Sequence, residues 1–223
     1  MHKRSILVIA PDLAAVDLPK KTFEIAWIQR YHDATVLAGV VRDVDISNAV
    51  AEREYEIIWW ITHGGPEGVM LSENVLLSTE AVVQYVKAND TSLCVLNTCD
   101  SEEIALRIAA YADADVICTI GKIDNADALR LGQLLAGELA HVTDYQDAYE
   151  MVATPESSYR YYPAGTVRGF HRDDEYEELL RLYYKMDADL RILRWTSLVL
   201  TGIVLFQAYL MWLLYSKVGG VTW

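Results

Sequence analysis

Cysteine, phenylalanine and proline are scarce in this sequence: three, three and five among 223 residues. Cys94, Cys99 and Cys118 are odd in number and lack metal-ligand spacing. That argues against a disulfide framework or a structural metal and fits a reducing compartment. Cationic charge is also low. Nineteen Lys and Arg against 32 Asp and Glu leave a formal net charge of −13, so nucleic acid is not an expected partner. There is no internal repeat and no low-complexity tract, which excludes a solenoid or a disordered array. No cofactor motif stands out. The opening Met1-His2-Lys3-Arg4 passes straight into Ser5 to Ala10 and then Pro11-Asp12, too short an apolar stretch for a signal peptide.

What the chain does have is apolar runs, with 52% hydrophobic residues. Two of them end abruptly at chemically capable side chains. Ile57-Ile58-Trp59-Trp60-Ile61-Thr62 delivers His63-Gly64-Gly65, and Leu93-Cys94-Val95-Leu96-Asn97-Thr98 delivers Cys99-Asp100-Ser101. Runs of this kind read as buried parallel strands at the point where they leave a sheet. Neighbouring strands would bring both side chains out on the edge where open α/β sheets place their ligands.

Taken in order, Ile6 to Ala10 reads as a central strand. Lys20 to Tyr31 is a helix with Phe23, Ala26, Trp27 and Arg30 at helical spacing, and Thr35 to Val41 is a second strand. Asp45 to Arg53 is a short helix before the strand that ends at His63. The alternation predicts a doubly wound, mostly parallel α/β sheet. Gly68 to Ser72 and Asn74 to Ser78 form a small hairpin around Glu73-Asn74. Ser78 or Thr79 caps a helix whose apolar face is Val82, Val83 and Val86. After the strand Leu93 to Asn97, Asp100 as N-cap and Glu103 at the third helical position match a capping box, with Ile104, Leu106, Ile108 and Ala109 buried beyond it. Val116 to Ile120 is the next strand. Asp124 or Asn125 caps a long helix through Leu139, and Tyr145 to Val152 makes a short one. The globular domain is expected over 1–153, an irregular segment over 154–172 and a charged helix over 173–194.

The chemistry expected of the two strand ends is nucleophilic. A thiol attacks as thiolate, which needs a base or a favourable field. His63 is the candidate base and Cys99 the candidate nucleophile, with a helix N-terminus close behind the sulfur. The N–H groups of Gly64 and Cys99 are the pair to hold a developing oxyanion, and the constellation suits acyl transfer from a protein or peptide substrate. Asp100, Glu102 and Glu103 place negative charge beside the thiol, which opposes that field. Cys94 and Cys118 read as small buried hydrophobes, and His2, His32, His141 and His171 as surface residues.

From Ile57 to about Val152 the sequence resembles the caspase-like cysteine peptidases of the CHAT and metacaspase kind. The likeness lies in His63-Gly64, the hairpin around Glu73-Asn74, Leu96-Asn97-Thr98-Cys99-Asp100-Ser101, and the strand and alanine-rich helix from Ile117 to Ala140. The resemblance implies a caspase-like three-layer sandwich and a cysteine endopeptidase with His63 as base, Cys99 as nucleophile and Gly64 with Cys99 as oxyanion hole. Metacaspase-like members carry an Asp two residues before the cysteine that accepts basic residues, where this chain has Asn97. The Gln-Ala-Cys of caspases is absent. Asn97, Lys122 and Asp124 are the candidate lining of a specificity pocket. Members of this kind act as effectors in bacterial conflict, defence or cell-death systems, switched on by a sensor partner or by self-association.

From Trp195 to Ser216 no residue is charged, and a helix of that length spans about 30 Å, enough for a bilayer core. A single membrane-spanning helix is expected over 195–216, with a short tail over 217–223. Lys185, Arg191 and Arg194 precede it against Lys217 after it, which places the N-terminal domain on the cytosolic side of the cytoplasmic membrane. Gln207 could bond a second copy within the bilayer. A different class of function stays open: a non-catalytic caspase-like scaffold or sensor whose membrane helix oligomerises or perturbs the bilayer. An α/β-hydrolase esterase, prompted by His63-Gly64-Gly65, lacks the Gly-x-Ser-x-Gly elbow and the late histidine that fold uses.

Overall fold

The computed structural model describes residues 2–13, 21–154 and 157–165, all within the unit Met1–Gly169. The chain runs β1 (Ser5–Pro11), α1 (Lys21–Tyr31), β2 (Asp33–Gly39), α2 (Asp43–Glu52) and β3 (Ile57–Ile61). Three short strands follow, β4 (Gly64–Gly65), β5 (Gly68–Ser72) and β6 (Val75–Ser78), then α3 (Thr79–Ala88) and β7 (Leu93–Asn97). After them come α4 (Glu102–Tyr111), β8 (Asp115–Thr119), α5 (Asn125–Glu138), α6 (Tyr145–Val152) and β9 (Tyr159–Tyr162). The main sheet has the order β2-β1-β3-β7-β8-β9, parallel throughout except for β9. It is a mixed α/β fold around a mainly parallel sheet.

Strand alternation sorts the core into two layers. Leu7, Ile9, Ile58, Trp60, Cys94, Leu96, Val116 and Cys118 face one side, against apolar residues of α2, α3, α4 and the small sheet. Ile6, Val8, Ile57, Trp59, Leu93, Val95 and Ile117 face the other, against Ile28 of α1, Leu131 and Leu135 of α5, and Ala148 and Val152 of α6. Because both faces are covered, β1, β3 and β7 read as continuous apolar runs. Trp59 and Trp60 are both wholly buried, one in each layer.

The edge at the N-terminal ends of the strands is closed by structural contacts. Arg4, 3% exposed, donates to Leu139 O (2.8 Å), Val142 O (2.8 Å) and Thr143 O (3.0 Å), pairs with Glu56 and lies over the Tyr145 ring. His32 joins it and is buried, not on the surface as its sequence context led us to expect. Its Nε2 donates to Ala136 O at 2.8 Å, and burial holds its pKa below the ordinary 6.5, so the ring is neutral.

Several local expectations need correction. The capping box on Asp100 does not form. Asp100 is left-handed (φ 49°) with its N–H on Gly121 O, and Ser101 is the N-cap without a side-chain cap bond. The Ser101 hydroxyl instead donates to Thr98 O (2.9 Å) and accepts from Thr119 N (3.1 Å), tying the turn to β8. On α1 the buried residues are Glu24 and Ile28, whereas Phe23 is 59% exposed. Trp27 and Tyr31 pack on each other and under Arg30, away from the core. The segment 154–172 contains the antiparallel edge strand β9, where aromatic, β-prone Tyr159, Tyr161 and Tyr162 pair with β8. The hairpin expected after His63 is present as β5 and β6, and Gly64-Gly65 adds a third strand to it. Among the described residues no helix is long and apolar enough to cross a membrane; the expected span 195–216 and the charged helix 173–194 lie outside them.

Candidate active site

The strand order reverses at β1, which pairs with β2 on one side and β3 on the other, and open α/β sheets bind their ligands near such a reversal. Beyond the C-terminal ends of β3 and β7 lies a cavity lined by Lys21 and Glu24 of α1, Ile61, Thr62 and His63, Asn97, Thr98 and Cys99, and Ile123, Asn125, Ala128 and Leu129 around the start of α5. The apolar runs explain the placement. Five buried residues in each strand fix β3 against β7 with Ile61 opposite Asn97, so the residues that follow each run emerge side by side.

His63 and Cys99 therefore line one cavity, both half-buried. The His63 ring loses hydration there without gaining a counter-charge, and its pKa falls below 6.5. It is neutral at pH 7, the form able to take a proton. Its Nε2 is buried without a hydrogen-bond partner among the described residues, as is the Thr98 hydroxyl. Cys94 and Cys118 are wholly buried and burial pushes both thiols up, in keeping with their reading as hydrophobes.

Gly64 is held in a narrow gap. A Cβ on it would stand 2.7 Å from Thr98 Oγ1 and 2.8 Å from Gly68 O, so only glycine fits. Met70 N donates to His63 O, which makes Gly64 and Val69 the non-hydrogen-bonded pair of the ladder and turns the Gly64 N–H away from β5. Of the acidic residues around Cys99, Glu103 pairs with Arg107 (3.0 Å) and Glu102 accepts from the Tyr162 hydroxyl.

The buried end of the cavity holds a group that the sequence reading missed. Glu24 is 2% exposed. Its Oε1 accepts from Trp59 Nε1 at 2.9 Å and from Asn97 Nδ2 at 2.8 Å, and its Oε2 accepts from the same amide at 2.9 Å. Burial raises its pKa from 4.5 to about 7 against the lowering effect of those two donors. Asn97 is 6% exposed, and its Oδ1 accepts from the hydroxyl of Tyr159 on β9. Tyr159, itself buried, keeps its hydroxyl protonated because burial drives its pKa well up. Lys122 and Asp124 are exposed and do not line the cavity; Asp124 Oδ1 accepts from Ala126 N at 2.7 Å and caps α5, while Ile123 and Asn125 supply the lining. Nothing local marks Glu24. Its only signal is an acid on the same helical face as Ile28.

Among the described residues no group of three or more His, Cys, Asp or Glu is arranged to hold a metal ion. No protein-family model matches the chain, and no curated protein matches it. Among solved structures it is similar to a secreted C11 cysteine protease from Bacteroides thetaiotaomicron, determined with an irreversible peptide inhibitor, at 10% sequence identity and a TM-score of 0.46. The match covers 67% of this chain and 57% of that one.

Proposed function

We propose that the chain is a caspase-like cysteine endopeptidase in which His63 is the general base and Cys99 the nucleophile. One observation carries the reading: two apolar strands, adjacent and in register, each end at one member of the pair, and both members line a single cavity at the C-terminal edge of the sheet. The neutral His63 ring takes the thiol proton as the sulfur attacks a peptide carbonyl. The tetrahedral oxyanion is received by the Gly64 and Cys99 N–H groups. The imidazolium then returns its proton to the leaving amine, and water hydrolyses the thioester with His63 again as base. An imidazole nitrogen without a partner among the described residues suits this cycle, since such bonds tighten when substrate arrives.

The tether belongs to the same proposal and is supported by the sequence alone. The uncharged run 195–216 anchors the chain in the cytoplasmic membrane and leaves the enzyme facing the cytosol, as an effector in a conflict, defence or cell-death system would need.

The test is alkylation of Cys99 by iodoacetamide across pH, followed by peptide mass spectrometry, in the wild type and in His63→Ala. An assembled pair gives a Cys99 rate that persists below pH 8 and falls about tenfold or more without His63. Equal profiles in the two proteins would sink the dyad.

A further inference from the structure

The turn that carries Cys99 is held by hydroxyl groups. Ser101 and Thr119 are both wholly buried, and a hydroxyl is kept in such a place when its hydrogen bonds are made. The Ser101 hydroxyl donates to Thr98 O at 2.9 Å, closer than to Leu96 O at 3.4 Å, and the Thr119 hydroxyl donates to the same Thr98 carbonyl. Both acceptor positions of that one oxygen are therefore filled. The two donors are fixed in turn, because Ser101 Oγ accepts from Thr119 N at 3.1 Å and Ser101 N donates to Thr119 O at 3.0 Å.

The clamped carbonyl belongs to the peptide unit whose N–H is that of Cys99. Among the described residues no peptide bond is cis, and in a trans unit the N–H points opposite to the C=O. With the oxygen drawn to β8, the Cys99 N–H faces the other way. In the strand order β3-β7-β8 that is the side on which β3 delivers His63 and Gly64. The two hydroxyl bonds also polarise the unit, so that its N–H donates more strongly. Thr98 touches the second oxyanion donor as well: a Cβ on Gly64 would stand 2.7 Å from Thr98 Oγ1, so the Thr98 side chain lies against the Gly64 backbone. Tying the turn to its surroundings takes less than this, since Ser101 N on Thr119 O and Asp100 N on Gly121 O (2.9 Å) already do so. A second hydroxyl on an oxygen that one would satisfy fixes the plane of the peptide, the property an oxyanion donor needs.

We propose that Ser101 and Thr119 are positioning residues of the reaction, whose hydroxyls clamp the Thr98 carbonyl and thereby aim the Cys99 N–H at the oxyanion. This inference rests on the peptidase reading above. Neither Ser101 nor Thr119 is among the residues that line the cavity, so both act through the Thr98–Cys99 peptide and not on substrate.

The whole chain is treated with two reagents that differ in whether an oxyanion forms, and modification of Cys99 is followed by peptide mass spectrometry. Iodoacetamide alkylates the thiolate by displacing iodide from a saturated carbon, with no tetrahedral intermediate. p-Nitrophenyl acetate acetylates it by attack of sulfur on the carbonyl carbon, formation of an oxyanion and expulsion of p-nitrophenolate, which leaves the thioester. In Thr119→Val the acetylation rate should fall about tenfold relative to the alkylation rate, less than the loss of a whole oxyanion donor. A purely structural role would move both rates together or only the Tm. Thr119→Ser, which restores the hydroxyl, should recover the wild-type ratio. Ser101→Ala is the second variant, read in the same way if Thr119→Val does not fold. An unchanged ratio in a folded variant lacking either hydroxyl overturns the proposal while the peptidase reading stands. Alkylation of His63→Ala at the wild-type rate across pH overturns both.

Discussion

At the scale of single residues, burial decides what each titratable group does. Cys94 and Cys118 are wholly buried with raised thiols, so native alkylation should modify Cys99 alone and reach the other two only after unfolding, as intact-mass counting would show. Glu24 makes the sharper forecast. Its folded pKa is raised from 4.5 to about 7, so the folded state holds its proton more tightly than the unfolded state. The stabilisation this brings is complete below pH 4.5 and is lost as pH rises through about 7, on the order of 3 kcal/mol in all. His32 and His63 act in the opposite sense. Their pKa values are lowered by burial, so stability from them is gained as pH rises towards 6.5. The clean readout is therefore the difference between wild type and Glu24→Gln. Urea midpoints at pH 5 and pH 8 should show the variant gaining on the wild type with rising pH, and a constant difference would mean that Glu24 is not held in the way described.

At the scale of elements, the small sheet and β9 act as braces on the two ends of the candidate site. Gly64 joins β4 to β5 within reach of Thr98, so Gly64→Ala must displace Thr98 or Gly68. The expected loss is about 1–3 kcal/mol by denaturant unfolding, with slower Cys99 labelling because His63 is the neighbouring residue. Tyr159→Phe removes the bond from β9 to Asn97 and is expected to cost about 1 kcal/mol. An unchanged urea midpoint would show that Asn97 is held without that bond. These braces were only partly legible beforehand. Strands β3 and β7 were evident as apolar runs, because burial on both faces demands them. The third strand of the small sheet was not, because a Gly-Gly pair carries no periodicity. Strand β9 lay in a stretch rich in Gly, Pro and Ser, where turn signals outweighed its four residues.

At the scale of the whole molecule, the sharpest contrast in the chain is between the two-layered domain and the uncharged run 195–216. If that run enters a bilayer, the full chain should partition into the detergent phase of a Triton X-114 separation, and a chain ending at Gly169 should stay in the aqueous phase. Equal partitioning of the two would dispose of the tether while leaving the site untouched.

The sequence by itself determined the parallel strands β1, β2, β3, β7 and β8 and the pair of strand ends that carry His63 and Cys99. Those features are written in short-range patterns of apolar residues that stop at polar ones, and a parallel sheet can be formed from such runs in few ways. Only the tertiary structure decided what lies beneath them. The carboxylate of Glu24 reaches the amide of Asn97 across 73 positions of sequence, and Tyr159 reaches that amide across a further 62. It also overturned the helix cap at Asp100 and the exposed reading of His32. In each case a side chain took a partner from a distant element, and no local period records such a choice, because the energy of a buried polar contact depends on who arrives from elsewhere in the fold.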